Sequence, residues 1–148
     1  DPRKEFIEHL KEHLGMTGTI ITYNQSFEKG KLRELATAFP EHSPWVEETL
    51  KRIIDLLTPF RNFHYYNEQQ QGSNSIKTVL PTLTGKGYEG MTIVDGDTAS
   101  IEYVRVTYGN VTEEEKEKVY HALEEYCGQD TYAMIEVVSR LWEVVSGK

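Results

Sequence analysis

The stretch Gly18-Thr-Ile-Ile-Thr-Tyr-Asn24-Gln-Ser-Phe-Glu28 decides the fold. Its first half, Gly18 to Tyr23, is a short β-branched and aromatic run without clean polar alternation, the pattern of a strand buried in a parallel sheet. Asn24 stands at the strand's C-terminal end. From Ser26, in N-cap position, a helix carrying Leu32, Leu35, Ala36 and Phe39 on one face runs to Pro40. Upstream, Phe6, Ile7, Leu10 and Leu14 recur at helical spacing between Pro2 and Gly15, so the order is helix, strand, helix.

Further along, Trp45, Val46, Leu50, Ile53 and Ile54 predict another helix after Ser43-Pro44. It passes into Asp55-Leu-Leu-Thr-Pro-Phe60, read as a second strand. Residues 61–75 are polar and aromatic, with consecutive glutamines and a Gly72-Ser-Asn-Ser75 turn region, and predict an exposed loop. Ser75 is placed to cap a short helix through Leu80, next to Pro81. A glycine-rich stretch follows, with a turn at Asp95-Gly96-Asp97, and Thr98 to Val106 fits helix or strand. Thr112 and Glu115 form a capping box ahead of a long helical pattern through Val119, Ala122, Leu123, Tyr126 and Ala133 to Val145, bent or divided at Gly128.

At 148 residues, with 38% hydrophobic, 27% charged and 11% aromatic residues, the chain reads as one soluble α/β domain over 1–148. The net charge of −8 excludes a general basic surface, so any nucleic-acid contact has to be local or metal-mediated. The single cysteine, Cys127, forms no internal disulfide, which fits a reducing, cytoplasmic setting. No apolar run reaches the length of a membrane span and no signal-peptide pattern opens the chain, so no membrane partner is expected. Asp1, where a methionine would start a protein, leads at once into a helical pattern, and upstream sequence is expected to matter.

Two constellations carry chemistry. In Tyr126-Cys-Gly-Gln-Asp130 a four-residue separation on a helix puts the phenol and the carboxylate on one face, where a metal ligand and a water-positioning hydroxyl can share a site. The plainer account is a half-buried tyrosine beside a helix-surface aspartate. In Asn24-Gln-Ser-Phe27-Glu28 a carboxylate opens the helix that follows the strand end, where open α/β sheets place ligands. Here the plainer account is an Asn turn and an acid that complements the helix dipole. His9 and His13 lack a His-Glu-x-x-His pattern and read as solvent-facing, while Cys127 reads as packing. Arg61, His64, Tyr65 and Tyr66 gather cationic and stacking groups in one loop, as single-strand binders do and as amphipathic surface loops also do.

In this order the two constellations resemble the second and third motifs of the DEDD family of 3′-to-5′ exonucleases, in the subclass with tyrosine in the third motif. The wider run Leu123-Glu-Glu-Tyr126-Cys127-Gly-Gln-Asp130-Thr131-Tyr-Ala133-Met134 is similar to a bacterial family of domains of unknown function assigned to that superfamily. Ser75-Ile-Lys77-Thr-Val-Leu80-Pro81 and Asp95-Gly96 before it extend the likeness to nearly the whole chain. The resemblance implies the C-terminal part of a ribonuclease-H-like domain, helix-rich and with few strands because the leading strands lie elsewhere. It implies phosphodiester hydrolysis with two divalent ions, magnesium or manganese, catalytic roles for Tyr126, Asp130 and Glu28, Asp130 and Glu28 as metal ligands, substrate contacts from Asn24 and Phe27, and no activity from this stretch by itself. The implied partners are a nucleic-acid end, the upstream part of the same polypeptide and a second copy docked through exposed apolar faces. Two departures qualify it: the family prefers aspartate where Glu28 stands, and no strand of this chain supplies the Asp-x-Glu of the first motif, for which Asp95-Gly-Asp97 is rejected as a turn. The alternative function is a non-catalytic interaction domain on the same fold.

Overall fold

The computed structural model describes residues 1–147. The chain forms two compact units, Asp1–Tyr66 and a second from Asn67 onward. It is helix-rich α/β, with a single two-stranded parallel sheet among the described residues.

The first unit begins with α1 (Pro2–Leu14), capped by the Asp1 carboxylate, which accepts from the Arg3 amide at 3.1 Å. Strand β1 (Ile20–Thr22) leads into α2 (Gln25–Ala38), a 3₁₀ turn at Pro40–His42, α3 (Ser43–Arg52), β2 (Ile53–Asp55) and the short α4 (Thr58–Arg61). The strands pair in parallel with Ile20 against Ile53, Ile21 against Ile54 and Thr22 against Asp55. Parallel pairing requires a crossover, and α2 and α3 supply it. Ile7, Leu32, Leu35, Trp45, Val46, Leu50 and Ile53 form the core. Arg52, at the end of α3, donates to the carbonyls of Leu14 at 2.8 Å, Gly15 at 2.8 Å, Thr17 at 2.7 Å and Gly18 at 2.8 Å. One guanidinium thereby satisfies the C-terminal end of α1 and the loop that enters β1.

Several expectations change here. Helix α2 starts at Gln25 with Asn24, not Ser26, in the cap position. Ile53 and Ile54 belong to β2 rather than to the preceding helix, and Thr58–Arg61 is helical where a strand through Phe60 was expected. The Asp55 carboxylate accepts from the Leu57 amide two residues on at 3.0 Å, which turns the chain out of the strand, and Pro59 suits a helix's first turn. Strand β1 is buried on one face only: Thr22 is buried, while the register partners Ile21 and Ile54 are 39% and 58% exposed.

The second unit opens with a 3₁₀ turn at Glu68–Gln70, followed by α5 (Ile76–Thr84), α6 (Gly96–Tyr108) and α7 (Glu113–Ser146), and α7 packs on both α5 and α6. Residues 61–75 are not simply an exposed loop. Gln70 is buried, its carbonyl accepting from the Asn67 amide at 2.9 Å and its amide donating to the Ser73 carbonyl at 3.3 Å. Helix α5 runs past Pro81 to Thr84, because burial of Val79, Leu80 and Leu83 outweighs the backbone bond that proline cannot make. Thr98 to Val106 is helix, and Asp95 of the expected Asp95-Gly96-Asp97 turn is its N-cap, with Gly96 and Asp97 already in the first turn. Helix α7 continues through Gly128, whose cost of about 1 kcal/mol is small beside 34 residues of otherwise suitable sequence. Cys127 is exposed, not packed.

Candidate functional site

The C-terminal ends of β1 and β2 meet through one carboxylate. Asp55 is buried, and its Oδ1 accepts from the Asn24 amide at 2.9 Å as well as from Leu57. Asn24 adopts the left-handed conformation with φ 70°, which asparagine tolerates better than most residues, and this turns α2 away from the strand directly above Asp55. Glu28 then falls in the first turn of α2. Burial pushes its carboxyl above the usual range, a hydrogen bond from its own backbone opposes that, and the Asp55 charge adds to the rise. Its Oε2 is buried with no hydrogen-bond partner. At the same strand end burial also raises the Tyr23 phenol, with the Asp55 charge adding and the Arg61 charge opposing.

Beside Glu28 lies a half-open apolar groove of about 540 Å³, walled by Phe6 and Leu10 of α1, Ile20 of β1, and Phe27 and Leu32 of α2. Thr22 and Thr49 also line it, and their hydroxyl oxygens, like Glu28 Oε2, are buried without partners. Phe27 projects to solvent with the Lys31 ammonium 5.8 Å from its ring.

In the second unit Tyr126 and Asp130 sit one turn apart on α7, as the spacing predicts. The Tyr88 hydroxyl, from the loop between α5 and α6, donates to Asp130 Oδ1 at 2.7 Å. Gln129 holds that loop by donating to the Gly87 carbonyl at 3.1 Å. The rings of Tyr88 and Tyr126 are 6.5 Å apart, and the Lys77 ammonium stands 5.9 Å from the first and 5.6 Å from the second. Burial first, and then hydrogen bonding to Asp130, raise both phenols, so each is a neutral donor near neutral pH. Tyr126 is also a core residue, packed with Ile93 and Ala122.

The structure therefore groups Asn24, Phe27 and Glu28 at the strand end and Tyr126 with Asp130 on the helix. Sequence reading missed Asp55 and Tyr88 as site members. Asp55 had no motif signal, and Tyr88 lies 42 residues from the group it binds. Among the described residues no three His, Cys, Asp or Glu side chains gather as a metal site. The Asp55 charge reaches Glu28, and carboxylate oxygens are the donors that suit a magnesium-like ion, although one Asp55 oxygen is already held by two amides. His9 and His13 face solvent, the His13 ring nitrogen lying 2.8 Å from the His9 carbonyl.

Residues 1–75 match the family described as domain of unknown function (DUF2779). An uncharacterized protein of Mycoplasma genitalium is 28% identical over 156 aligned residues, covering 96% of this chain and 23% of that protein. Its homolog in Mycoplasma pneumoniae is 29% identical over 133 residues, with 80% and 20% covered. An uncharacterized protein of Ureaplasma parvum is 26% identical over 159 residues, with 93% and 23% covered. The chain thus spans less than a quarter of the length of these relatives. No solved structure matches it.

Proposed function

The chain belongs to the family described as domain of unknown function (DUF2779), and from that premise we propose that it is part of a ribonuclease-H-like, metal-dependent 3′-to-5′ exonuclease domain acting on nucleic-acid ends. The observation that carries the reading is the buried, partnerless Oε2 of Glu28 near buried Asp55 at the C-terminal ends of two parallel strands. Ligands of open α/β sheets bind at that place, and a buried oxygen without a partner marks a position that a bound group would satisfy.

Glu28 and Asp55 would hold a magnesium or manganese ion, the rest of the polypeptide supplying further carboxylates. The ion's contribution is to activate a water and stabilise the leaving oxygen. Within the second unit, the exonuclease resemblance would give Asp130 the role of a metal ligand and the Tyr126 hydroxyl, kept neutral and donating by its burial, that of orienting a water. Asn24 and Phe27 border the strand end and would contact substrate. Ile21 and Ile54 present an apolar face that the remaining polypeptide would cover.

The test is digestion of a 5′-labelled single-stranded oligonucleotide with manganese by the polypeptide carrying this chain. Stepwise shortening that is lost in Asp130→Ala and Glu28→Gln is expected. A folded protein that shortens nothing overturns the reading. That outcome would favour a non-catalytic interaction domain, for which the Tyr88 hydroxyl already occupying Asp130 is the supporting observation.

A further inference from the structure

After Asp55 the chain turns through α4 and ends it in an unusual way. The Phe63 amide donates to the Phe60 carbonyl at 3.2 Å and the His64 amide to the Pro59 carbonyl at 2.8 Å, the two reversed bonds of a Schellman helix stop. The residue between helix end and loop in that motif is left-handed and is most often glycine. Here it is Phe63, with φ 55° and the side chain 69% exposed. A bulky aromatic in that conformation is strained, and burial does not compensate it.

The ring is not isolated. Phe63 meets Tyr66 with centroids 5.8 Å apart, and Tyr66 is itself half exposed. The segment is anchored by Phe60, which is fully buried and meets Tyr65 edge-on with centroids 5.8 Å apart. Arg61 and His64 flank the exposed rings, and both side chains are exposed. The Arg61 charge reaches Tyr23, which sets Arg61 near the C-terminal end of β1.

We propose that Arg61, Phe63, His64 and Tyr66 form a stacking platform for the unpaired bases of a single-stranded nucleic acid, with Arg61 reading its phosphates. Exposed aromatic faces with a local cation are the chemistry that holds single strands without regard to sequence. A chain of net charge −8 has to gather such cations locally to meet a polyanion. Duplex bases keep their faces covered and cannot use the platform. The proposal rests on the exonuclease reading for taking nucleic acid as the ligand, and it names single strands as the substrate class.

The test separates the two readings. Binding of a fluorescein-labelled oligothymidylate to the full chain is followed by anisotropy in EDTA and low salt, where no cleavage occurs. The variants are Phe63→Asn, whose asparagine accepts the left-handed backbone, Tyr66→Ala, and Trp142→Ala as an exposed aromatic elsewhere. The expected result is roughly a tenfold loss of affinity for each of the first two, no change for Trp142→Ala, and weaker binding of the corresponding duplex. Photocrosslinking of an iodouridine oligonucleotide to the unmodified protein should map to the peptide holding residues 61–66, independently of any variant's folding. Equal affinity in all variants, equal binding of duplex, crosslinks elsewhere, or no binding overturns the platform. Binding with these properties but no manganese-dependent digestion leaves the platform standing and removes only the nuclease.

Discussion

The strand end of the first unit and the α7 face of the second each hold a carboxylate among tyrosines, and they treat it in opposite ways. Asp55 and Glu28 share one place, where two backbone amides claim one Asp55 oxygen and Glu28 keeps a buried oxygen with no partner. Asp130 is met by neutral phenols, Tyr88 at 2.7 Å and Tyr126 one turn away. The difference shows that a carboxylate's readiness for a cation depends on what else competes for it. A backbone amide cannot be turned aside without unfolding the strand end, whereas a phenol on a loop can rotate away. By that measure Glu28 is the open acceptor, Asp130 is occupied by a donor that can leave, and Asp55 is held.

The largest expected effect tests the structural role of Asp55. Asp55→Ala leaves the amides of Asn24 and Leu57 unpaired in a buried place and should cost about 3 kcal/mol. Urea unfolding followed by the emission of buried Trp45, with Trp142 changed to phenylalanine, reads the first unit by itself. A loss near zero would mean that water reaches those amides, and the contrast with Asp130 would disappear.

A smaller effect is expected on α7. Tyr88→Phe removes one donor from Asp130, with Tyr126 still beside it, and should lower stability by about 1 kcal/mol in thermal unfolding followed by circular dichroism. A cost as large as that of Asp55→Ala would make the two sites equivalent.

The smallest effect has a sign set by pH. Glu28 has a folded value above the unfolded one of about 4.3, so its contribution to stability is fully present below that and is lost as pH rises through the folded value. Glu28→Gln removes the penalty of charging the buried group. Its Tm should exceed the parent's at about pH 7, with the gap closing at about pH 4. An equal gap at both values would mean that the charge of Glu28 is not what matters.

Much of the helical frame was legible along the chain. Ser75 and Thr112 cap α5 and α7 as their spacing with the following residues implied, since capping is a contact across three or four residues. The parallel character of β1 was legible too. Boundaries failed where tertiary contacts override local preference: Ile53 and Ile54 continue a helical pattern, yet pairing with Ile20 and Ile21 draws them into a strand. Gly128 and Pro81 read as breakers, and packing carries both helices through them.

The sequence by itself determined a helix-rich α/β chain, the Tyr126–Asp130 turn and the placing of Glu28 just after a strand, because each depends on periodicity and short spacing. Only the tertiary structure decided that Asp55 closes the strand end, that Tyr88 reaches Asp130, and that Phe63 fills a glycine position with its ring in solvent. Those facts join residues up to 42 positions apart or depend on a backbone angle, and no local pattern of residue types encodes either.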